Sequence, residues 1–295
     1  MSTLRGTLLQ NVPLADFTSW RVGGPAQRLY QPADLEDLIQ FLTTVPAHDP
    51  LVWLGLGSNT LVRDGGIAGT VIVTQGHLQN MAVFNGTMVR AQAGTACPAL
   101  ARFCARQSLA GIEFLAGIPG TVGGALALNA GCHGGETWNH VAAVETIDRN
   151  GNVHLRYPKE FKAQYRKVSF VDTALPQEWF IAAHFQLKQG AKEKSLETIR
   201  ELLAYRTATQ PTNEPSCGSV FRNPPGDYAA RLIEASGLKG KTIGGASVST
   251  KHANFIVNHG TATATDIEQL IDHVAYEVAA RHGVYLVREV HVIGK

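Results

Sequence analysis

The stretch Phe114–Gly135, FLAGIPGTVGGALALNAGCHGG, contains seven glycines and no Asp, Glu, Lys or Arg. Glycine loses more conformational entropy on folding than other residues, so a long glycine cluster indicates that another molecule approaches the backbone closely. The core of the cluster, Gly117–Ala125, is too long for a tight turn, and its glycines and proline make a poor membrane helix. We expect a short helical segment over Ala125–Leu128, ended by Asn129. The cluster is interpreted as part of a cofactor cradle.

A second glycine cluster, Gly55-Leu56-Gly57-Ser58-Asn59, directly follows a predicted strand, Leu51–Leu54. A dinucleotide-binding fingerprint of the Rossmann type requires a helix immediately afterwards. Here Thr60–Val73, TLVRDGGIAGTVIV, is rich in β-forming residues and shows no helical stripe. The loop therefore joins two strands, as a structural turn or as a backbone nest for an anion. Two such clusters together predict an extended cofactor that carries a diphosphate.

Composition limits the class of protein. A length of 295 residues suits two or three domains, and 44% hydrophobic with 17% charged residues is globular composition. A formal net charge of +2 gives no reason to expect nucleic acid as the main partner. The N-terminal stretch has no secretory signal pattern, so we expect a cytoplasmic protein without membrane insertion. No obligatory protein partner is predicted.

The four cysteines show no spacing typical of a zinc site, so no metal is expected. Cys97 and Cys104 lie seven positions apart in a helical pattern, which predicts two buried thiols on one helix face. Nothing in this cysteine pattern requires an oxidising compartment.

Hydrophobic periodicity predicts three regions, 1–75, 76–205 and 206–283, followed by a C-terminal strand, 284–295, that returns to the second region or to the active site. Predicted helices cover 33–42, 98–107, 227–236 and a segment after Thr265, where Thr265 and Glu268 match a capping box. Predicted strands cover 51–54, 69–73, 88–93, 141–148, 180–187 and 284–294.

One carboxylate and one loop stand out in the last third of the chain. Glu289 shares a face of the predicted C-terminal strand with apolar neighbours, so it lies either at a solvated edge or in a polar pocket. The loop Ser216–Pro224, SCGSVFRNP, groups small polar residues around Gly218, a composition typical of turns.

Six motifs are distributed, in this order, along nearly the whole chain: TSWRVGGPA (18–26), GLGSN (55–59), AGIPGTVGGALALNAG (116–131), YRKVSF (165–170), GSVFRNP (218–224) and HANFIVN (252–258). Together they resemble the UDP-N-acetylenolpyruvoylglucosamine reductase family. The resemblance implies an α+β fold in which a vanillyl-alcohol-oxidase-type (PCMH-like) two-domain unit binds FAD and a smaller C-terminal α/β domain binds substrate. The separation of Arg166 and Ser219 suits the shorter branch of the family, which lacks an inserted substrate loop.

The same resemblance implies the reaction. A non-covalently bound FAD takes a hydride from NADPH and passes it from flavin N5 to C3 of UDP-N-acetylglucosamine enolpyruvate, giving UDP-N-acetylmuramate for peptidoglycan synthesis. The carbanion or enolate at C2 then needs a proton, and the resemblance assigns that step to Ser219 as general acid. Arg166 is the matching cation that stabilises charge on the substrate carboxylate, and Glu289 is the matching C-terminal glutamate.

Further contacts are implied position by position. Implied FAD contacts are Arg21, Gly55, Gly57, Ser58, Asn59, Gly117, Ile118, Pro119, Gly120, Thr121, Gly123, Gly124, Ala125 and Asn129. Implied substrate contacts are Tyr165, Arg206 and Asn223. The chain departs from the family at Cys132-His133, where an alanine and a tyrosine are expected, so the resemblance carries no role of that tyrosine ring over to this chain; the imidazole can still stack or donate a hydrogen bond. A flavin oxidase or dehydrogenase acting on another small substrate and a non-catalytic nucleotide-sensing protein that keeps the flavin cradle remain alternatives.

Overall fold

The computed structural model describes residues 4–295; residues 1–3, which open the N-terminal stretch and the first predicted region, lie outside the described residues. Chain contacts divide the described residues into two units. The first unit comprises residues up to Leu9, Leu29–Leu56 and Gly69–Ala204, and the second comprises Gln10–Arg28, Gly57–Ala68 and Tyr205–Lys295. The three-region division 1–75, 76–205 and 206–283 stays a prediction.

The helices are α1 (Leu35–Thr44), α2 (Cys97–Arg106), α3 (Val122–Ala127), α4 (Lys192–Thr209), α5 (Ala229–Ala235) and α6 (Ala264–His282), with 3-10 helices at Leu14–Phe17, Glu113–Gly117, Thr137–His140 and Pro158–Glu160. The strands are β1 (Thr7–Pro13), β2 (Pro25–Gln31), β3 (Leu51–Leu54), β4 (Thr60–Val62), β5 (Ile67–Val73), β6 (Met81–Phe84), β7 (Met88–Gln92), β8 (Leu109–Ala110), β9 (Gly131–Cys132), β10 (Gly135–Glu136), β11 (Val141–Asp148), β12 (Val153–Arg156), β13 (Phe161–Gln164), β14 (Lys167–Phe170), β15 (Glu178–Gln186), β16 (Lys188–Gln189), β17 (Thr242–Ile243), β18 (Ala246–Val248), β19 (Ile256–Asn258) and β20 (His291–Ile293).

The five strands predicted before residue 190 are confirmed as β3, β5, β7, β11 and β15. Helices α1, α2, α3, α5 and α6 are confirmed as well, and Gly237 follows α5 with φ +71°. Helix α4 was missed because its apolar residues form no stripe; only Ser195 and Ile199 are buried along it.

The first unit is built on a five-stranded antiparallel sheet of order β12-β11-β15-β7-β6. Helices α2 and α3 contribute to the main core of this unit together with the inward residues of β7, β11 and β15. Cys97 and Cys104 are both fully buried there, as predicted. A four-stranded sheet of order β1-β2-β5-β3 contains a parallel β3–β5 pair.

The second unit packs α5 and α6 with the antiparallel sheet β17-β18-β19. The predicted stripe of α6 is buried as expected: Ile267, Leu270, Ile271, Val274 and Val278. The fully buried Trp20 joins this core and donates from Nε1 to the carbonyl of Ile256 at 2.7 Å. β20 pairs in parallel with β4. No helix within residues 4–295 is both long and apolar enough to cross a membrane.

The predicted cap of α6 is wrong. Thr263 is the N-cap, and it forms the capping box with Asp266. Thr265 lies within the first turn of α6 instead, where its Oγ1 donates to Asp64 Oδ2 at 2.6 Å, and the Asp64 carboxylate also accepts from the backbone N–H groups of Ala264 and Thr265, both at 2.9 Å. The predicted strand over 284–294 is also wrong for 284–290, since only His291–Ile293 is strand.

Three polar side chains on neighbouring strands, Arg90 on β7, Glu145 on β11 and His184 on β15, allow a prediction about how the free energy of unfolding changes at acid pH. Arg90 forms a bidentate pair with Glu145 (2.6 Å for both bonds), and His184 Nε2 lies 2.7 Å from Glu145 Oε1. Burial opposes ionisation of Glu145, but hydrogen bonds from Arg90 and His184 outweigh it and lower its pKa to about 2. A depressed carboxylate pKa stabilises the fold above the unfolded value, roughly pH 4.3, and that stabilisation is lost as the pH falls towards about 2.

We therefore expect Glu145→Gln to reduce the free energy of unfolding at pH 7 by about 2–3 kcal/mol. The variant should also show a smaller further loss of stability between roughly pH 5 and pH 2 than the unmodified chain. Urea unfolding at several pH values measures both effects. Glu36→Gln, on a side chain that is 91% exposed, is the control and should change neither. Parallel pH profiles for Glu145→Gln and the unmodified chain would contradict the prediction.

Candidate functional site

The segment 219–222 of the second unit is held by one side chain, Asn254. Asn254 Oδ1 accepts from the N–H of Phe221 at 3.0 Å, and its Nδ2 donates to the carbonyl of Phe221 at 2.8 Å. The N–H of Val220 donates to the backbone carbonyl of Asn254 at 2.9 Å. Asn254 is 4% exposed, so these bonds are shielded from water. The half-buried Ser219 therefore precedes a rigidly fixed dipeptide.

A second contact joins this segment to the one that carries Glu289. The N–H of Glu289 donates to the carbonyl of Val220 at 2.7 Å, and the N–H of Arg222 donates to the carbonyl of Val287 at 2.9 Å. Ser219 and Glu289 thus lie on adjacent, backbone-bonded segments. Glu289 is 7% exposed, so the solvated-edge alternative for this carboxylate is wrong.

The loop that contains Asn59 fixes Glu289 from the other side. Asn59 Nδ2 donates to the carbonyl of Glu289 at 3.2 Å, and the carbonyl of Asn59 accepts from the N–H of His291 at 3.0 Å. The amide group of Asn59 therefore positions the Glu289 segment, in addition to its predicted contact with FAD.

The start of the Ser216–Pro224 loop is fixed by Ser19 and Cys217. Ser19 Oγ donates to the carbonyl of Ser216 at 2.7 Å, and Cys217 Sγ donates to the carbonyl of Gly57 at 3.3 Å. Burial raises the pKa of the Cys217 thiol to about 12, so at neutral pH it acts as a neutral donor and not as a thiolate nucleophile. Gly57 has φ +63°, and a Cβ there would lie 2.3 Å from the carbonyl oxygen of Phe17.

Arg166 lies in the first unit, at the two-residue turn between β13 and β14. Its backbone adopts φ +55°, which is uncommon outside glycine. Its Nη2 donates to the carbonyl of Gly131 at 3.2 Å, and its guanidinium lies 5.1 Å from the centre of the Tyr165 ring. The turn therefore brings Arg166 to the end of the glycine cluster.

Gly55 and Thr121 bring the two glycine clusters together within the first unit. A Cβ on Gly55 would lie 2.4 Å from Thr121 Oγ1. Thr121 is the N-cap of α3 and accepts from the N–H of Gly124. Gly123 is required for packing, since a Cβ there would lie 2.9 Å from the Cβ of Ala93, whereas Gly124 is exposed.

The remaining predicted FAD contacts differ in exposure. Gly117, Ile118, Pro119, Gly120 and Ser58 are half-buried, Ala125 is buried, and Arg21 is exposed with φ +57°. Asn129 is 4% exposed and also has a positive φ, +41°. Its Nδ2 donates to Glu136 Oε2 at 3.0 Å and its Oδ1 accepts from the N–H of Trp138 at 3.1 Å, so this side chain serves the fold directly.

The predicted substrate residues also have structural contacts. Asn223 Oδ1 accepts from the N–H of Ala229 at 3.1 Å, at the start of α5. Arg206 Nε donates to Gln210 Oε1 at 3.1 Å. Tyr165 is 52% exposed. His133, the departure from the family pattern, has φ +51° and lies beside Gly117, where a Cβ would come within 3.8 Å of its ring.

These residues fit a cofactor that bears a diphosphate. In the first unit, Asn129 and Arg166 hold left-handed backbone conformations, and such strain occurs at ligand sites. The stretch 116–131 carries no acidic side chain that would repel phosphates, and its 117–120 backbone is partly exposed. Among residues 4–295 no cluster of three or more His, Cys, Asp and Glu side chains could hold a metal ion.

Comparisons with known proteins identify the family. Residues 26–155 match the FAD binding domain family, and residues 210–293 match the family described as UDP-N-acetylenolpyruvoylglucosamine reductase, C-terminal domain. A UDP-N-acetylenolpyruvoylglucosamine reductase of Legionella pneumophila (strain Lens) is 59% identical over 291 residues, which cover 98% of this chain and 93% of that protein. The chain belongs to the UDP-N-acetylenolpyruvoylglucosamine reductase family.

Two further relatives support the same family. The reductase of Methylococcus capsulatus (strain ATCC 33009 / NCIMB 11132 / Bath) is 57% identical and covers 99% of this chain and 94% of its own length. The crystal structure of UDP-N-acetylenolpyruvylglucosamine reductase (MurB) from Thermus caldophilus superimposes with a TM-score of 0.82 at 35% identity, covering 98% of this chain and 99% of that one. The predicted family, fold class and FAD cofactor are therefore confirmed.

A substitution at Gly55 tests the cofactor cradle. We expect Gly55→Ala to weaken FAD binding by about 5- to 150-fold, because overpacking against the buried Thr121 costs about 1–3 kcal/mol and displaces the loop. The ratio of flavin absorbance to protein absorbance after dialysis measures the loss. Gly190→Ala is the control, since its Cβ is equally crowded, 2.6 Å from the Cβ of Ala110, but no predicted cofactor residue is nearby. Full flavin content in Gly55→Ala would contradict the prediction.

Two residues that position the site were not predicted. Asn254 lies inside the motif HANFIVN, and a buried asparagine in an apolar strand-like run was the available signal. Ser19 gave no such signal, because its partner is 197 positions away.

Proposed function

We propose that this chain reduces UDP-N-acetylglucosamine enolpyruvate to UDP-N-acetylmuramate in the cytoplasm, with NADPH as the reductant and FAD held non-covalently by the FAD-binding domain. The observation that carries the proposal is the pairing of the Ser219 and Glu289 segments inside residues 210–293, the part that matches the family's own C-terminal domain. The reaction needs neither a protein partner nor nucleic acid.

Ser219 is assigned as the proton donor to C2 of the substrate. When bound, the flavin supplies the hydride that adds at C3. A serine hydroxyl is a weak acid, so it protonates carbon effectively only when it is held at the reacting atom. The hydrogen bonds that join Asn254 to Val220 and Phe221, together with the Glu289–Val220 hydrogen bond, fix the backbone directly after Ser219. Gly218, with φ +72°, sets the chain direction just before it.

Glu289 is assigned to proton supply. After Ser219 has given up its proton, the oxygen must be protonated again before the next turnover. The carboxyl group of Glu289 is on the adjacent, backbone-bonded segment, and burial limits its exchange with bulk water. Its backbone is bonded both to Val220 and to Asn59, which fixes where the side chain begins.

Arg166 is assigned to the substrate carboxylate. Negative charge on the enolate spreads to that carboxylate, and a preorganised cation lowers its energy in the transition state. The positive φ, the bond to Gly131 and the Tyr165 ring restrict the guanidinium. Tyr165, Arg206 and Asn223 are assigned to the nucleotide sugar; for Asn223 the amide Nδ2 is the atom proposed to donate, since Oδ1 accepts from Ala229.

A product assay tests the function. Purified protein is incubated with NADPH and UDP-N-acetylglucosamine enolpyruvate, and the nucleotide sugar is analysed by mass spectrometry. We expect NADPH oxidation that depends on the sugar and a product heavier by two hydrogen atoms. NADPH oxidation that depends on oxygen alone, with the sugar unchanged, would overturn the proposal.

A further inference from the structure

Arg222 lies between the clamped Phe221 and Asn223. Its N–H donates to the carbonyl of Val287 at 2.9 Å, so its backbone is fixed by the same pairing that holds Glu289. The side chain is half-buried. The proposed function leaves it without a role.

One donor of the Arg222 guanidinium has no protein acceptor within residues 4–295. This donor is the Nε atom, which is buried. The neighbouring Arg288 has carboxylate partners: Glu268, at 3.4 Å, and Asp272. Arg231 is also paired, with Asp227. Leaving a cationic N–H without an acceptor is unfavourable, so an unpartnered donor of this kind calls for an explanation such as a ligand.

We propose that Arg222 binds the diphosphate of the nucleotide-sugar substrate. This inference rests on the proposed function, because it takes Ser219 as the residue that meets C2. The guanidinium is a planar fork of N–H donors whose geometry matches phosphate oxygens. A diphosphate carries more negative charge than any other group of the proposed substrate, so it is the acceptor best suited to an arginine with an unsatisfied donor.

Spacing along the chain favours the diphosphate over the substrate carboxylate. The carboxylate is bonded directly to C2, so it must lie beside Ser219 when Ser219 protonates that carbon. The diphosphate is separated from the enolpyruvyl group by the sugar ring. The three positions from Ser219 to Arg222 span at most on the order of 10 Å, and the bend at Val220 shortens that separation. A separation of several ångströms suits a group beyond the sugar ring better than one bonded to C2.

Matched variants test the inference. Arg222→Gln removes the charge from the loop, Arg222→Lys retains it, and Arg231→Gln removes an equal charge from the exposed, already paired Arg231. Steady-state kinetics give KM for the enolpyruvyl substrate and kcat. Equilibrium titration with UDP and with uridine shows whether any lost affinity belongs to the phosphates.

We expect Arg222→Gln to raise KM and the dissociation constant for UDP by about 10- to 100-fold, the range for a charged hydrogen bond, while kcat changes less than about threefold. Uridine affinity should be unchanged, Arg222→Lys should recover part of the loss, and Arg231→Gln should match the unmodified chain. Unchanged KM in an active Arg222→Gln variant, equal losses for UDP and uridine, or no UDP binding by the unmodified chain would overturn the inference. An unmodified chain without reductase activity would instead overturn the proposed function.

Discussion

Replacing Ser219 by alanine is expected to lower kcat by about 10²- to 10⁴-fold, the usual contribution of a positioned general acid. The reason is that the hydroxyl is the only assigned proton source at C2, and alanine leaves nothing at that position to donate. The effect should fall on one half of the reaction: reduction of the flavin by NADPH should keep its rate, and reoxidation by the nucleotide sugar should slow. Rapid mixing of reduced protein with substrate measures the second rate directly.

Ser216→Ala is the matched control for that experiment. Ser216 belongs to the same loop, and its carbonyl, not its hydroxyl, accepts from Ser19. We expect this variant to retain activity within about threefold, since no assigned proton transfer uses its hydroxyl. If Ser219→Ala reoxidises as fast as Ser216→Ala, Ser219 is not the proton donor.

The second large effect is expected at Asn254. Asn254→Ala leaves the buried N–H and carbonyl of Phe221 without partners, and each such loss costs about 1–3 kcal/mol. We therefore expect the free energy of unfolding of the second unit to fall by about 2–5 kcal/mol. Because Val220 and Phe221 follow Ser219 directly, kcat should fall as well.

Urea unfolding followed by the fluorescence of the four tryptophans, of which the fully buried Trp20 lies in the second unit, measures the loss. Asn213→Ala makes the same replacement at an exposed turn position of the same unit, and a surface change of this kind should stay within about 0.5 kcal/mol. Equal stability of the two variants would show that the Asn254 bonds contribute nothing to the fold.

Much of the secondary structure could be predicted from the sequence, because the spacing of apolar residues along the chain indicates where helices and strands form. The buried stripe of α6 follows from side-chain periodicity, which is a property of neighbouring residues. The start of α6 shows the limit: Thr265 was predicted as the cap, but its hydroxyl donates to Asp64, about 200 positions away, and Thr263 is the N-cap.

The prediction of a strand over 284–290 was wrong for a related reason. Alternation in 284–290 resembled a strand, and Val284 and Leu286 do pack against the core of the second unit, whereas Tyr285 is 84% exposed and Val287 is 58% exposed. Within residues 4–295 this segment has no regular ladder with a neighbouring strand, only an isolated bridge between Phe221 and Arg288. Instead 287–289 forms single bonds to 220–222. Sequence alone could not reveal that pairing, because the contact joins residues more than 60 positions apart.

The residues of the candidate site could be predicted from the sequence, but the hydrogen bonds that hold those residues in place could not. Ser219 and Arg166 lie in motifs that carry the family resemblance, and Glu289 matches the family's C-terminal glutamate. Asn59 illustrates what the motifs leave out: it was predicted as a cofactor contact, and its amide also holds the carbonyl of Glu289 across 230 positions. The motifs name residues, whereas the hydrogen bonds that fix them depend on the complete fold.

An anaerobic experiment tests the central claim most directly. The purified protein is reduced with NADPH in the absence of oxygen and is then mixed with UDP-N-acetylglucosamine enolpyruvate. We predict that the absorbance of oxidised flavin returns on addition of the nucleotide sugar alone. Flavin that stays reduced until oxygen is admitted would contradict the claim, because the bound cofactor would then pass its electrons to oxygen and not to the enolpyruvyl group.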